Sequence, residues 1–79
     1  ELKDAYKGEY DVIVANIIAD IIISLAPEFP KYMSDKTALI VSGIINDKAQ
    51  AVRDSLRAAG LILSEEQDSN DWHAMIWHK

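Results

Sequence analysis

The chain has 79 residues, of which 49% are hydrophobic and 27% charged, a composition typical of one small domain or a piece of a larger one rather than of a disordered segment. Its formal net charge of −5 opposes binding to nucleic-acid phosphates, and we expect no direct nucleic-acid partner. The absence of cysteine excludes disulfides and thiolate metal sites and fits a cytoplasmic location. The most hydrophobic stretch, residues 12–26, is too short to span a bilayer, so no membrane partner is expected.

Residues 1–9 are polar and predict a connector, so that the folded part begins near residue 10. Residues 10–16 are rich in β-branched side chains, which is typical of a strand buried on both faces. After this strand the apolar residues recur with the spacing of a helix. Pro27 predicts that this segment divides into a helix over residues 19–26 and a short turn over residues 27–33. The apolar positions with this spacing are Ile18, Ile22, Leu25, Phe29 and Met33.

The second half begins with an apolar strand over residues 37–44, which ends in the small residues Ser42 and Gly43. Asp47 and Gln50 have the spacing of a capping box and predict the start of a second helix, for which Gly60 is the expected stop. Strands are predicted over residues 61–65 and 72–78. Because the polar loop of residues 66–71 is short, these two strands form an antiparallel hairpin.

The resulting order is strand, helix, strand, helix, strand, strand. Alternation with helices predicts that the first three strands are parallel, with right-handed crossovers, and that the last one is antiparallel. Asn16 would then lie at the carboxyl end of a parallel strand, where open α/β sheets bind ligands. Asparagine is also a preferred helix cap, and composition alone favours that role for Asn16.

The histidines and tryptophans favour structural interpretations. His73 and His78 lie five residues apart on opposite faces of the predicted strand, so no shared metal site is expected, and each is read as structural or solvent-exposed. Trp72 and Trp77 also face opposite sides and are interpreted as core or sheet-covering residues.

The charged residues of the second half favour solvated roles. Arg53 and Arg57 are predicted on the outer face of the second helix, paired with local acids such as Asp54. Four acidic residues are predicted in a solvated hairpin region: Glu65, Glu66, Asp68 and Asp71.

Four segments carry a resemblance to a known family. Residues 10–20 read Tyr-Asp-Val-Ile-Val-Ala-Asn-Ile-Ile-Ala-Asp, residues 25–28 Leu-Ala-Pro-Glu, residues 39–44 Leu-Ile-Val-Ser-Gly-Ile and residues 72–77 Trp-His-Ala-Met-Ile-Trp. With the order of elements, they resemble the C-terminal half of the catalytic domain of PrmA-type methyltransferases of large-subunit ribosomal protein L-eleven, a class I S-adenosylmethionine-dependent family. The resemblance implies an α/β half of a Rossmann-like sheet, with residues 1–79 forming a partial methyltransferase domain and residues 10–79 its folded part.

The resemblance also implies site residues. In that family the asparagine that corresponds to Asn16 contacts the cofactor and helps to place the amine that receives the methyl group. The resemblance therefore implies Asn16 as the catalytic residue, and Asn16 with Ile17 as the cofactor contacts. Ser42 and Gly43 are expected in the wall of the substrate pocket. Methyl groups would pass from S-adenosylmethionine to lysine side chains and to the N-terminal amine of the ribosomal substrate. The family's glycine-rich loop and ribose-binding acid are not found in these 79 residues, so we expect this piece alone to be inactive and to bind cofactor weakly or not at all.

Two alternatives stay open. A stand-alone α/β interaction module without catalysis would have the same elements, although a stand-alone sheet should protect its edge strand with charge or proline. Residues 11–15 carry no such protection in their interior, so we expect the isolated chain to self-associate through its first strand or to be marginally stable. The second alternative is a methyltransferase with a different amine acceptor, either a small molecule or a glutamine amide. In glutamine-methylating families the corresponding motif reads Asn-Pro-Pro-Tyr, unlike residues 16–19 here.

Overall fold

The computed structural model describes residues 11–79, and the predicted connector lies outside them. The predicted order of elements is confirmed. The elements are β1 (Asp11–Ala15), α1 (Ala19–Leu25), a 3-10 turn (Phe29–Tyr32), β2 (Thr37–Ile45), α2 (Asn46–Ala58), β3 (Ile62–Asp68) and β4 (Trp72–His78).

The strands form one four-stranded sheet in the order β1-β2-β4-β3. β1 and β2 are parallel, and β4 lies antiparallel between β2 and β3, as the sequence predicts for the last strand. β3 therefore runs in the same direction as β1 and β2. The carboxyl ends of these three strands consequently lie at one edge of the sheet, which is called the carboxyl edge below.

Both helices pack on the same face of the sheet. Five consecutive residues of β2, 37–41, are buried, which explains why this strand is apolar at nearly every position. The fully buried side chains of the helix-covered face come from both helices and from the two central strands: Ile22, Leu39, Val41, Ile44, Val52, Leu56, Met75 and Trp77. A smaller cluster on the other face contains Ala38, Ile40 and Ile76.

The end of α2 agrees with the sequence prediction. Gly60 has a φ of +93°, and its amide donates to the carbonyl of Arg57 at 2.9 Å. The amide of Leu61 donates to the carbonyl of Leu56 at 3.1 Å, which completes a Schellman motif. Glycine suits this position because a side chain is strained at such a φ.

The predicted capping box at the start of α2 is wrong. The helix begins at Asn46, and its N-cap is Ile45, which is extended and makes no side-chain cap. β2 runs directly into α2, so Asp47 falls inside the first turn, where its charge faces the positive end of the helix dipole. The amide of Gln50 instead donates to Asp54 Oδ1 at 2.9 Å.

The third strand is longer than predicted. The predicted position of three acidic residues in a solvated loop is therefore wrong. β3 continues to Asp68, so Glu65, Glu66 and Asp68 lie on the strand. The pairing with β4 extends as far as Asp68 opposite His73. Cross-strand pairing of this kind offsets the low strand propensity of acidic side chains.

Candidate functional site

Two of the predicted site residues meet at the carboxyl edge. Asn16 directly follows β1, and Gly43 lies in β2 where the pairing with β4 becomes irregular between Val41 and Ile44. Gly43 has a φ of +73°, and a Cβ placed on it would lie 3.2 Å from Asn16 Oδ1. The amide of Asn16 therefore closely approaches the backbone of the neighbouring strand at a position where only glycine fits without strain.

Asn16 is not the cap of α1. The N-cap residue is Ile18, and no side chain caps the helix. Asn16 is exposed, and its side chain makes no hydrogen bond to residues 11–79. The interpretation of Asn16 as a helix cap, which composition alone favours, is therefore wrong. Its side-chain amide is available to a ligand.

The other predicted site residues lie beside these two along the chain. Ile17 is partly exposed in the link between β1 and α1. Ser42 is half-buried in β2, directly before Gly43. Their roles stay predictions.

A pocket of about 150 Å³ adjoins Gly43 at the carboxyl edge. Its lining comes from the start of α1 and from the junction of β2 with α2: Ile18, Ala19, Asp20, Gly43, Ile45 and Lys48. Lys48 Nζ lies 3.1 Å from Asp20 Oδ1, and the two side chains are 44% and 68% exposed. Sequence reasoning missed Asp20 and Lys48. The signal that would have found them is that each lies in the first turn of a helix following one of two adjacent parallel strands.

A second polar cluster joins α2 to the hairpin of β3 and β4. Arg53 donates through Nε and Nη2 to the two carboxylate oxygens of Glu66, at 2.9 and 2.7 Å. His73 Nδ1 lies 2.7 Å from Glu66 Oε2, and because a carboxylate only accepts, the ring nitrogen donates. The predicted outer position of Arg53 beside Asp54 is therefore wrong, since the arginine reaches β3 instead. His73 has the structural role that the sequence favours.

The contacts in this cluster perturb two pKa values. The hydrogen bond from Arg53 is the main cause that lowers the pKa of Glu66, and the bond from His73 acts in the same direction against the opposing effect of burial. The same hydrogen bond raises the pKa of Arg53. The cluster is thus a charged, satisfied structural contact and lies apart from the pocket lining.

The two tryptophans separate as predicted. Trp77 is fully buried in the core, while Trp72 is 43% exposed. The guanidinium carbon of Arg57 lies 6.0 Å from the centroid of the Trp77 ring, so Arg57 covers a core aromatic residue.

Within residues 11–79, no group of three or more acidic or histidine side chains is placed to hold a metal ion. In the same range, no helix is long and apolar enough to cross a membrane.

The family model described as ribosomal protein L11 methyltransferase (PrmA) matches residues 1–79. The chain belongs to this family. It is 44% identical over 78 residues to the ribosomal protein L11 methyltransferase of Limosilactobacillus reuteri. That alignment covers 99% of this chain and 24% of the relative. The protein of the same name from Listeria innocua is 39% identical over 75 residues, covering 95% and 24%.

The fold also matches a solved structure. The crystal structure of the ribosomal protein L11 methylase of Lactobacillus delbrueckii subsp. bulgaricus superposes with a TM-score of 0.82 over 87% of this chain and 36% of that chain, at 23% identity. The likeness confirms the methyltransferase fold expected from the sequence. The chain spans about a quarter of the length of the curated relatives that it matches.

Proposed function

We propose that this chain is part of a protein methyltransferase that transfers methyl groups from S-adenosylmethionine to lysine side chains and the N-terminal amine of ribosomal protein L11 in the cytoplasm. Family membership and the names of the relatives support the reaction and the substrate. The observation that carries the proposal is the exposed amide of Asn16 beside Gly43 at the carboxyl edge. An amide and a glycine at this edge suit the binding of a small ligand.

The residues at this edge fit the cofactor and the acceptor amine. S-adenosylmethionine supplies, when bound, a methyl group activated by its sulfonium. Asn16 would hold this cofactor through a polar contact, and the adjacent Ile17 through an apolar contact. The Oδ1 of Asn16 would also accept a hydrogen bond from the neutral acceptor amine and aim its lone pair, and an amide does this without protonating the amine. Ser42 and Gly43 would form the wall of the acceptor pocket, where any side chain at position 43 would crowd Asn16.

The test is Asn16→Ala in the full-length protein. Loss of the amide removes the group that orients the amine, so turnover should fall about 100-fold, while the exposed position predicts nearly unchanged stability. Asn70→Ala is the matched control, because Asn70 is an exposed asparagine whose backbone oxygen, not its side chain, accepts the bond from Asn46. Unchanged turnover in Asn16→Ala would refute the assignment of the site.

The acceptor is tested separately. Peptide mapping of the reacted ribosomal protein by mass spectrometry should place the added methyl groups on lysine side chains and on the N-terminal amine. Methyl groups confined to glutamine amides would support the alternative acceptor class instead.

A further inference from the structure

The pocket beside Gly43 combines apolar walls with one carboxylate. Ile18 and Ile45 are large apolar side chains that are 65% and 54% exposed, and both line the pocket. Asp20 is at its rim and is held by Lys48. A lysine side chain has the complementary form, because its apolar stem ends in a compact ammonium group.

We infer that Asp20 recognises a second, non-reacting lysine or arginine of the protein substrate, next to the acceptor amine, and that Lys48 holds this position when no substrate is bound. The inference rests on the proposed function, which supplies the class of substrate. According to this inference, Asp20 and Lys48 contribute to substrate specificity.

The chemistry separates Asp20 from the reacting amine. Methyl transfer needs a neutral amine, whereas a nearby carboxylate stabilises the protonated form of an amine. Asp20 is therefore unsuited to hold the acceptor and suited to hold a neighbouring cation that stays charged. Gly43 links the two places, since it lines the pocket of Asp20 and also lies against Asn16 Oδ1.

The ion pair with Lys48 is easily exchanged. Both side chains are substantially exposed, and such a pair contributes little to stability, so a substrate cation can replace Lys48 Nζ at low cost. The exchange keeps Asp20 paired throughout. The net charge of −5 on these 79 residues has the sign that attracts a cationic side chain to this part of the protein.

The experiment uses the full-length protein and two peptides. One peptide carries an acceptor amine and a neighbouring lysine, and in the other peptide that neighbouring lysine is acetylated. Affinity is measured by fluorescence anisotropy without cofactor, and KM and kcat are measured with cofactor. The variants are Asp20→Asn, Lys48→Met and the control Asp35→Asn, which changes the net charge equally at an exposed turn before β2.

For the lysine peptide, Asp20→Asn should raise Kd and KM about two- to fivefold, the effect expected for an exposed ionic contact. Lys48→Met should lower both, because it removes the competing cation, and neither variant should affect binding of the acetylated peptide. A purely structural ion pair would give changes of the same sign in both variants, since each breaks the same contact.

The role of Asp20 would be overturned if Asp20→Asn and Lys48→Met changed Kd and KM in the same direction, or if Asp20→Asn changed them no more than Asp35→Asn does. In either case, methylation by the unmodified protein would still support the proposed function. Absence of methylation of both peptides and of the whole ribosomal protein would instead overturn the proposed function, and this inference with it.

Discussion

Within residues 11–79, two glycines have positive φ angles but differ in what surrounds them. An added Cβ at Gly43 meets Asn16 Oδ1 at 3.2 Å, whereas at Gly60 nothing lies within 4 Å. Both Gly43→Ala and Gly60→Ala should lower the free energy of unfolding by about 1 to 2 kcal/mol, because alanine is strained at positive φ. Only Gly43→Ala should also displace Asn16 and lower turnover of the full-length protein, by roughly tenfold.

Urea unfolding and steady-state methylation measure the two effects, and Gly60→Ala serves as the control for backbone strain. Equal loss of turnover in both variants would show that the contact between Gly43 and Asn16 has no part in the reaction.

Glu66 is the carboxylate at the centre of the polar cluster that joins α2 to the hairpin of β3 and β4. It is half-buried and accepts hydrogen bonds from Arg53 and His73. Glu66→Gln should therefore lower the free energy of unfolding by about 1 to 3 kcal/mol at pH 7. Glu65→Gln is the control, because Glu65 lies next to it on β3 and is exposed.

The pH dependence follows from the lowered pKa of Glu66. A carboxyl group with a lowered pKa in the folded state stabilises the fold above its ordinary pKa of 4.5, and this stabilisation disappears as the pH falls through the folded-state value. The difference in urea stability between the unmodified chain and Glu66→Gln should therefore shrink as the pH falls below about 4.5. A difference that grows in acid would contradict the assigned pairing.

At the scale of the elements, α1 is too short to be stable alone and depends on its buried face. Ile22 is fully buried, while the adjacent Ile21 is 44% exposed. Ile22→Ala should lower the free energy of unfolding by about 2 to 5 kcal/mol through the cavity that it leaves. Ile21→Ala removes the same atoms from an exposed position and should lower the free energy of unfolding by about 0.5 kcal/mol or less. The predicted apolar stripe is only partly confirmed, because Ile22 is buried whereas Ile18 and Leu25 are exposed. Similar losses in urea unfolding would mean that α1 does not pack on the sheet through Ile22.

The elements that the sequence predicts well are those determined by local signals. β2 follows from an apolar run that is buried on both faces, and the end of α2 follows from Gly60. The start of α2 is set by β2, which continues directly into the helix, so the residues with capping-box spacing fall inside its first turn. The length of β3 is set by its pairing with β4, a contact that local sequence does not show.

The same distinction applies to the candidate site. The proximity of Asn16 and Gly43 can be predicted because Asn16 directly follows one apolar strand and Gly43 lies near the end of the next, and the ends of parallel strands share one edge. The positions of Asp20 and Lys48, each in the first turn of a helix after a parallel strand, can be found in the sequence. Their ion pair joins two helices that are separated along the chain by β2, and no spacing predicts that contact. The bond from Arg53 to Glu66 was missed for the same reason.

At the scale of the whole molecule, β1 lies at one edge of the sheet that residues 11–79 form. Within residues 11–79 it pairs only with β2, and its interior has no charged residue or proline. Val14 is exposed there, and further exposed apolar side chains follow it in the link to α1 and on α1: Ile17, Ile18, Ile21 and Leu25. A surface of this kind favours association with another chain.

We therefore expect the isolated chain to self-associate through β1, with a mass by light scattering that rises with concentration. Val14→Lys should shift the chain toward monomer, because a charged side chain on an edge strand opposes pairing between chains. Gln67→Lys adds the same charge on β3, the other edge strand of the described sheet, and should leave association unchanged. A monomer at all concentrations would contradict self-association, and equal effects of both lysines would attribute it to net charge rather than to β1.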